Sequence, residues 1–313
     1  MIIFETSPIF LALLPSSFDP AEVSSYILLQ GRKLAHLDPK EKRSSIEFPL
    51  LVVHLGIWGK AQTAKALGLP DCKGKLGQII PAYTKSSLEK DAMLIEPRFN
   101  KTTLEIMNNA DFVALCHAVD SWIDLVAPMY VLTFHFEALN GLLDRQGVKG
   151  RYLVKKVTEN FGLEPLLPSQ MFTTVAINCS PISVMQAHLD FSDEFSMLAV
   201  VVCLADCPFT GGDLVFWQLS HRAQFGAFDV CALRSRIFVH GNTEVTLKGQ
   251  DSEKWRKAGE KELKGEAVAG RGSLVFFNGA GIRGAIMKVS TEEENRFIRR
   301  LFSDDVHNFC REG

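Results

Sequence analysis

The sequence carries no surplus of basic charge. Its 34 Lys and Arg stand against 36 Asp and Glu, a net charge of -2 with a pI near 6.5. That excludes a global positive field of the kind that draws nucleic acid, though a near-neutral total still allows a local patch. Cysteine is sparse and unpatterned: Cys72, Cys116, Cys179, Cys203, Cys207, Cys231 and Cys310 are odd in number and mostly sit inside apolar runs. They read as reduced core thiols of an intracellular protein, not as a disulfide framework. Cys203 and Cys207 lack the second pair that a structural zinc needs. The apolar start, Ile2 to Leu14, contains Glu5 and Pro8 and no basic residue before it, so it reads as an early strand instead of a secretory signal. No apolar run reaches the length of a membrane helix, and no membrane partner is expected. Internal repeats and low-complexity segments are missing too, and nothing points to a protein partner.

What is present is an ordinary globular composition, 47% hydrophobic and 22% charged over 313 residues. That length allows one large domain or two modest ones with a sizeable core. The first half is mixed and helical. Pro15 to Pro20 is a turn, Ala21 to Leu29 a short helix, and Leu34 to Arg43 a charged, solvated stretch. Phe48 to Leu55 is a buried strand or helix start, in which His54 reads as a core histidine rather than a ligand. Apolar residues from Leu104 through Met107, Phe112, Leu115, Val119, Trp122, Leu125 and Val126 recur at helical spacing. Pro128 ends or kinks that helix, and a second follows through Leu132, Phe136, Leu139 and Leu142. His117 and His135, without ligand partners at i+4, are structural. Gly147 to Lys156 reads as a basic turn and strand. Its Lys149, Arg151, Lys155 and Lys156 are either a solvated edge or a patch that contacts phosphates.

From Met171 the pattern turns to short β runs: Phe172 to Asn178, a strand from Pro181, Met197 to Ala205, Gly212 to Trp217, Ala227 to Leu233, Ile237 to His240 and Ser273 to Phe277. Strands at this spacing suggest an antiparallel sandwich or barrel of the jelly-roll kind. A helix runs from Ser290 to about Cys310, with Ser290 and Glu293 as its capping box. The expected organisation is α+β. Residues 1–165 form a mixed helical region packing on the core, and 166–313 form the β core with its C-terminal helix.

One stretch organises this core. His188 and Asp190 are two apart, so on an extended strand both side chains face the same way. An imidazole and a carboxylate side by side supply two members of a 2-His-1-carboxylate set, which holds iron(II) and leaves positions open. His240, at the end of a later strand, can return to the metal as the third. Arg271 and Ser273 share one strand face by the same period. A guanidinium grips a carboxylate at two points, and the hydroxyl beside it adds a donor. That is equipment for a 2-oxoacid chelated on iron.

These residues resemble the Fe(II)/2-oxoglutarate dioxygenases, and in particular the TET/JBP-type branch of fungi and algae. The resemblance runs through His188 and Asp190, the Gly211-Gly212-Asp213-Leu214-Val215-Phe216 segment, Phe228 to Arg236, His240, and Gly270 to Phe276. It covers about a third of the chain and implies a double-stranded β-helix (jelly-roll) core. It further implies an iron site at His188, Asp190 and His240, which are the catalytic residues, and a 2-oxoglutarate carboxylate held by Arg271. Ser273 would face the cosubstrate, and Asn178 either faces it too or belongs to a turn with Cys179-Ser180-Pro181. The interval from His240 to Arg271, with its charged insert Lys248 to Glu266, is long for the pattern. It leaves Arg256 and Arg283 as other candidates, and ascorbate as a possible reductant or alternative cosubstrate. Asp193 is a candidate for supporting the ligands or touching substrate. The implied activity is hydroxylation of a C–H bond, such as the methyl of 5-methylcytosine or thymine in nucleic acid, with nuclear location if that holds. The other reading is a hydroxylase of a small molecule or protein side chain.

Overall fold

The computed structural model describes residues 2–5, 7–37, 43–45, 48–50, 52–58, 77–79, 97–129, 149–160, 167–180, 182, 184–191, 193–249 and 269–302. The helix expected through Leu132 to Leu142, Pro181, most of the charged insert with Arg256, and the tail after 302 lie outside the described residues.

In chain order the strands are β1 (Ile2–Glu5), β2 (Arg43–Ser45), β3 (Phe48–Leu50), β4 (Val52–Trp58), β5 (Gly77–Ile79), β6 (Thr174–Asn178) and β7 (Ala199–Ala205). They continue with β8 (Phe209–Gly211), β9 (Leu214–Phe216), β10 (His221–Ala223), β11 (Val230–Leu233), β12 (His240–Asn242), β13 (Val245–Leu247) and β14 (Arg271–Phe277). Seven of them form one sheet in the order β1-β11-β7-β14-β6-β4-β5, and its pairings are antiparallel. Smaller sheets are β10-β9-β12, β13-β8 and β2-β3. The protein is thus a mixture of helices with antiparallel sheets.

The period of two sorts the large sheet into two faces. Val175, Ile177, Val200, Val202, Leu204, Leu274 and Phe276 point one way, into the core that the helices build with Ile27, Leu28, Phe112, Leu115 and Trp122. Their neighbours Val201, Cys203, Cys231 and Leu233 point the other way, onto Leu214 and Phe216 of β9 and onto Phe225. Both faces of β7 are therefore covered, which is why the Ala199–Ala205 run is apolar throughout.

Helices occupy the first face. α1 is Ser7–Leu11 and α2 is Pro20–Leu37. Asp19 starts α2 by accepting the Ala21 and Glu22 amides at 2.9 and 3.2 Å, and Pro20 suits a first helical position. The helix outruns the expected end at Leu29, and Leu34, expected in a solvated stretch, is buried. Gly31 lets α2 lie close on β6, because a Cβ there would stand 3.0 Å from Cys179 Cβ and Ile177 Cγ2. The long apolar stripe divides into α3 (Pro97–Met107) and α4 (Ala110–Met129). Asn109 separates them, its side chain accepting from the Asp111 and Phe112 amides.

Three expectations are corrected here. Gly147 and Val148 lie outside the described residues, and the rest of the expected turn and strand up to Lys156 is helical: α5 spans 149–160, because Leu153 and Val157, four apart, pack on Ile282, Ile286 and Ile298. Among the described residues between Asn178 and Ala199 no strand forms, and Ile182 makes a single bridge to Arg271. After α6 (Ala280–Val289), α7 (Glu292–Leu301) is capped by Thr291 and Glu294, one residue later than expected, while the Ser290 hydroxyl bonds the Ile286 carbonyl. The large sheet draws β1, β4 and β5 from the first half of the chain. No described helix is long and apolar enough to cross a membrane.

Candidate metal centre

His240 opens β12 instead of closing a strand; the residues before it turn, with the Ile237 and Phe238 amides bonded to the Arg234 carbonyl. β12 pairs with β9 and so places His240 opposite Phe216. His188 meets His240 in an antiparallel bridge, and the two rings lie 4.3 Å apart between centroids. Asp190 sits beside both, 3.7 Å from His188 Nε2 and 3.4 Å from His240 Nε2. One ligand atom from each of the three lies within 4.8 Å of the others, a spacing that suits a single ion.

The imidazoles are oriented from behind. His188 Nδ1 lies 2.8 Å from the Gln186 carbonyl, and His240 Nδ1 lies 2.8 Å from the Phe238 carbonyl. A carbonyl can only accept, so each Nδ1 carries a proton, and in the neutral ring Nε2 is then the atom with the lone pair a metal needs. His188 and Asp190 side chains remain 29% and 32% accessible, whereas His240 is at 10%, so the centre is reached from the His188–Asp190 side. Burial lowers the His240 pKa, but the hydrogen bond and charge of Asp190, helped by the Phe238 carbonyl and Asp193, outweigh it and raise it above the ordinary value.

Asp193 lies behind the ligands. Its amide donates to the Asp190 carbonyl at 3.0 Å, the Ser235 hydroxyl donates to its carboxylate, and Arg236 donates to its carbonyl. Burial, followed by the nearby Asp190 charge, pushes its carboxyl up to about 8.

The three ligands share one cavity with Asn178, Arg271 and Ser273, as well as with Asp193. Arg271 and Ser273 are buried on adjacent positions of the same face of β14, and Asn178 Nδ2 donates to Ser273 Oγ at 2.8 Å. The Arg271 guanidinium lies over the Phe209 and Phe225 rings, 5.9 and 5.7 Å from their centroids. Its Nη2 donates to the Gly212 carbonyl at 3.0 Å, while its Nε is buried with no hydrogen-bond partner among the described residues. Gly212, at φ +74°, makes this approach possible; a Cβ there would stand 3.1 Å from Arg271 Nε. The Cys203 thiol, pushed up by burial, sits against the same guanidinium, which partly offsets the shift. A desolvated cation with an unsatisfied donor fits a carboxylate, so the residues present suit the far end of a 2-oxoacid.

The remaining predicted residues lie elsewhere. Lys149, Arg151, Lys155 and Lys156 are on α5, and none lines the cavity. Lys149 is buried with Nζ donating to the Ser196 carbonyl, and Arg151 pairs with Asp124. Lys155 pairs with Glu159, and Lys156 bridges Glu159 and Glu294. Arg283 pairs with the buried Glu194, outside the cavity. Sequence reasoning missed His54, which lines the cavity from β4 with its ring edge-on to Phe277. The alternation of Val52, His54 and Gly56 was the available signal, but which face that alternation served was not.

No protein-family model matches the chain, and no curated protein matches it. Among solved structures, NgTET1 in complex with 5mC DNA is similar over 96% of this chain and 80% of that chain, at 11% identity and a TM-score of 0.40. OsALKBH1 is similar over 43% of this chain and 61% of that chain, at 18% identity and a TM-score of 0.21. Both likenesses are loose.

Proposed function

We propose that this chain is a non-haem iron, 2-oxoglutarate-dependent dioxygenase on a jelly-roll core, oxidising the methyl group of a 5-methylated pyrimidine in nucleic acid. One observation carries the reading: a His188–Asp190–His240 cluster with both Nδ1 atoms turned to backbone carbonyls shares a cavity with a buried arginine that has an unsatisfied donor. The large sheet facing β9 and β12 across that cavity supports the jelly-roll core.

His188, Asp190 and His240 would hold the iron, and Arg271 with Ser273 would hold the far carboxylate of 2-oxoglutarate. When bound, iron with 2-oxoglutarate and oxygen supplies the oxidising power for C–H hydroxylation. Asn178 fixes the Ser273 hydroxyl. Phe209 and Phe225 keep water from the guanidinium, which strengthens its hold on an anion. Ascorbate has no carboxylate for this grip, so Arg271 supports 2-oxoglutarate as the cosubstrate. A base entering the cavity would have to leave its stack. Phe191, directly after Asp190 and 71% exposed, and Trp217, whose amide bonds the Val239 carbonyl beside His240, offer aromatic faces for unstacked bases.

A second reading is favoured by a specific feature. Arg271 is the one Lys or Arg among the described cavity residues, and the basic residues of α5 are engaged elsewhere. A hydroxylase of a small molecule or protein side chain needs no basic surface.

The test is anaerobic iron(II) titration with and without 2-oxoglutarate, on wild type and on His188→Ala, watching the visible charge-transfer band of the chelate. A band that needs both additions and is lost in the variant supports the reading. Iron binding without a band points to another cosubstrate, and no iron binding overturns the enzyme. Succinate release stimulated by a methylated oligonucleotide then separates the two substrate classes.

A further inference from the structure

The His240 imidazole is aligned by a single peptide group. Its Nδ1 donates to the Phe238 carbonyl at 2.8 Å, and that carbonyl belongs to the same planar amide as the Val239 N–H. In a trans amide the N–H and C=O point in opposite directions, so whatever holds the N–H also sets where the carbonyl faces. Here a side chain holds it: the Val239 N–H donates to Gln218 Oε1 at 2.8 Å. From its other end Gln218 Nε2 donates to the Ile237 carbonyl at 3.1 Å. An amide N–H can only donate and a carbonyl can only accept, so the two partners fix which end of the Gln218 amide faces which. One side chain thus grips both peptide groups that flank Phe238.

The local fold explains why Gln218 is in reach. β9 and β12 pair as far as Phe216 and His240, and the Trp217 amide extends the pairing by donating to the Val239 carbonyl at 3.2 Å. Trp217–Leu219 then winds into a 3-10 segment, which Ser220 closes in the left-handed region at φ 47°. Backbone pairing ends there, and the Gln218 side chain bonds the Val239 N–H in its place. From the other side the Arg234 carbonyl accepts the Ile237 and Phe238 amides. Gln218 itself is exposed. It adds nothing to the apolar core, so its two bonds act on this turn.

We propose that Gln218 is a positioning residue for the metal centre: through the Phe238–Val239 peptide it fixes the direction of the His240 imidazole and so sets how tightly the site holds iron(II). The inference rests on the iron reading of His188, Asp190 and His240, and it is independent of cosubstrate and substrate. Linked hydrogen bonds polarise one another. An amide whose N–H is engaged offers a more negative carbonyl to the Nδ1 proton, which makes Nε2 a better electron donor to a cation. Solvent can satisfy the same exposed N–H once Gln218 is gone, so its loss costs direction more than stability.

The experiment uses the full chain, metal-free and anaerobic, titrated with iron(II) alone and, for its visible bands, with cobalt(II). Gln218→Met keeps the length of the side chain without either hydrogen bond and without a charge. It should bind iron(II) roughly tenfold more weakly than wild type and shift the cobalt(II) bands. Its metal-free melt should stay cooperative and within about 4 °C of wild type. Gln218→Glu keeps an acceptor for Val239 and should recover most of the affinity in about 1 M NaCl, where screening shortens to about 3 Å. Leu219→Glu, with the same charge on the exposed neighbour, should match wild type under those conditions. Wild-type affinity and bands in Gln218→Met would overturn the proposal. A Gln218→Glu as weak as Gln218→Met would overturn it too, and so would loss of the cooperative melt in Gln218→Met, which would make the residue structural. A wild type that binds neither metal overturns the iron reading and this inference with it.

Discussion

His188 and His240 are joined by two backbone hydrogen bonds, each amide donating to the other's carbonyl, at 3.0 and 3.1 Å. Two of the three candidate ligands are therefore partners in a β-bridge. Their spacing is set by main chain that forms whether or not a metal is present.

It follows that His188→Ala removes the metal without removing the frame. The side chain is partly accessible and the bridge needs only backbone, so metal-free stability should shift by about 0.5 kcal/mol or less. Wild type should gain about 2.7 kcal/mol from a divalent ion at a hundredfold excess over Kd, and the variant should gain nothing. Thermal melts with and without metal check both statements.

Arg271→Lys should weaken 2-oxoglutarate roughly tenfold to a hundredfold, because an ammonium cannot reproduce the planar grip. Gly212→Ala should act in the same direction from the other side of the contact. Its Cβ would press on Arg271 Nε at 3.1 Å, and its backbone is at φ +74°. In both variants iron affinity should stay at the wild-type level, which isothermal titration of each ligand can separate.

Asp193 makes the metal-free protein pH-dependent. Burial first, and the Asp190 charge second, hold its folded pKa at about 8, while the unfolded chain titrates near 3.8. Between these values the folded state binds more protons than the unfolded one, so stability falls as pH rises from about 4 to about 8. Urea unfolding of metal-free protein across this range should show the decline, and Asp193→Asn should flatten it.

The split of the first-half helical stripe depends on a cap. Asn109 accepts from the Asp111 and Phe112 amides, and Asn109→Ala should cost about 1 kcal/mol. A fall in Tm of about 2–4 °C is the expected readout.

The candidate site was legible where a short period decides direction. Two positions separate His188 from Asp190 and Arg271 from Ser273, and in each pair both residues do line one cavity. The ends of β12 were less legible, because Ile237 to Val239 is as apolar as a strand, yet the Ile237 and Phe238 amides are held in turns by the Arg234 carbonyl. His54 could not be placed from its neighbours. Its face depends on pairing with Ala176, more than a hundred positions later, and an apolar run around a histidine looks the same whichever side it serves. The α5 segment failed for a similar reason: Tyr152, Leu153 and Val154 suit a strand locally, and the contact of Leu153 and Val157 with Ile282 and Ile286 is tertiary.

β1 pairs with β11 from Ile2 against Leu233 to Glu5 against Val230. During synthesis β1 is made long before β11, so it waits with open main-chain groups while more than two hundred residues are translated. The sheet edge beside β11 closes only then, at the cost of a very large loop. For a cell making this protein, the exposed interval falls on the nascent chain, and chaperones that hold extended apolar segments would meet Ile2-Ile3-Phe4 well before β11 is made.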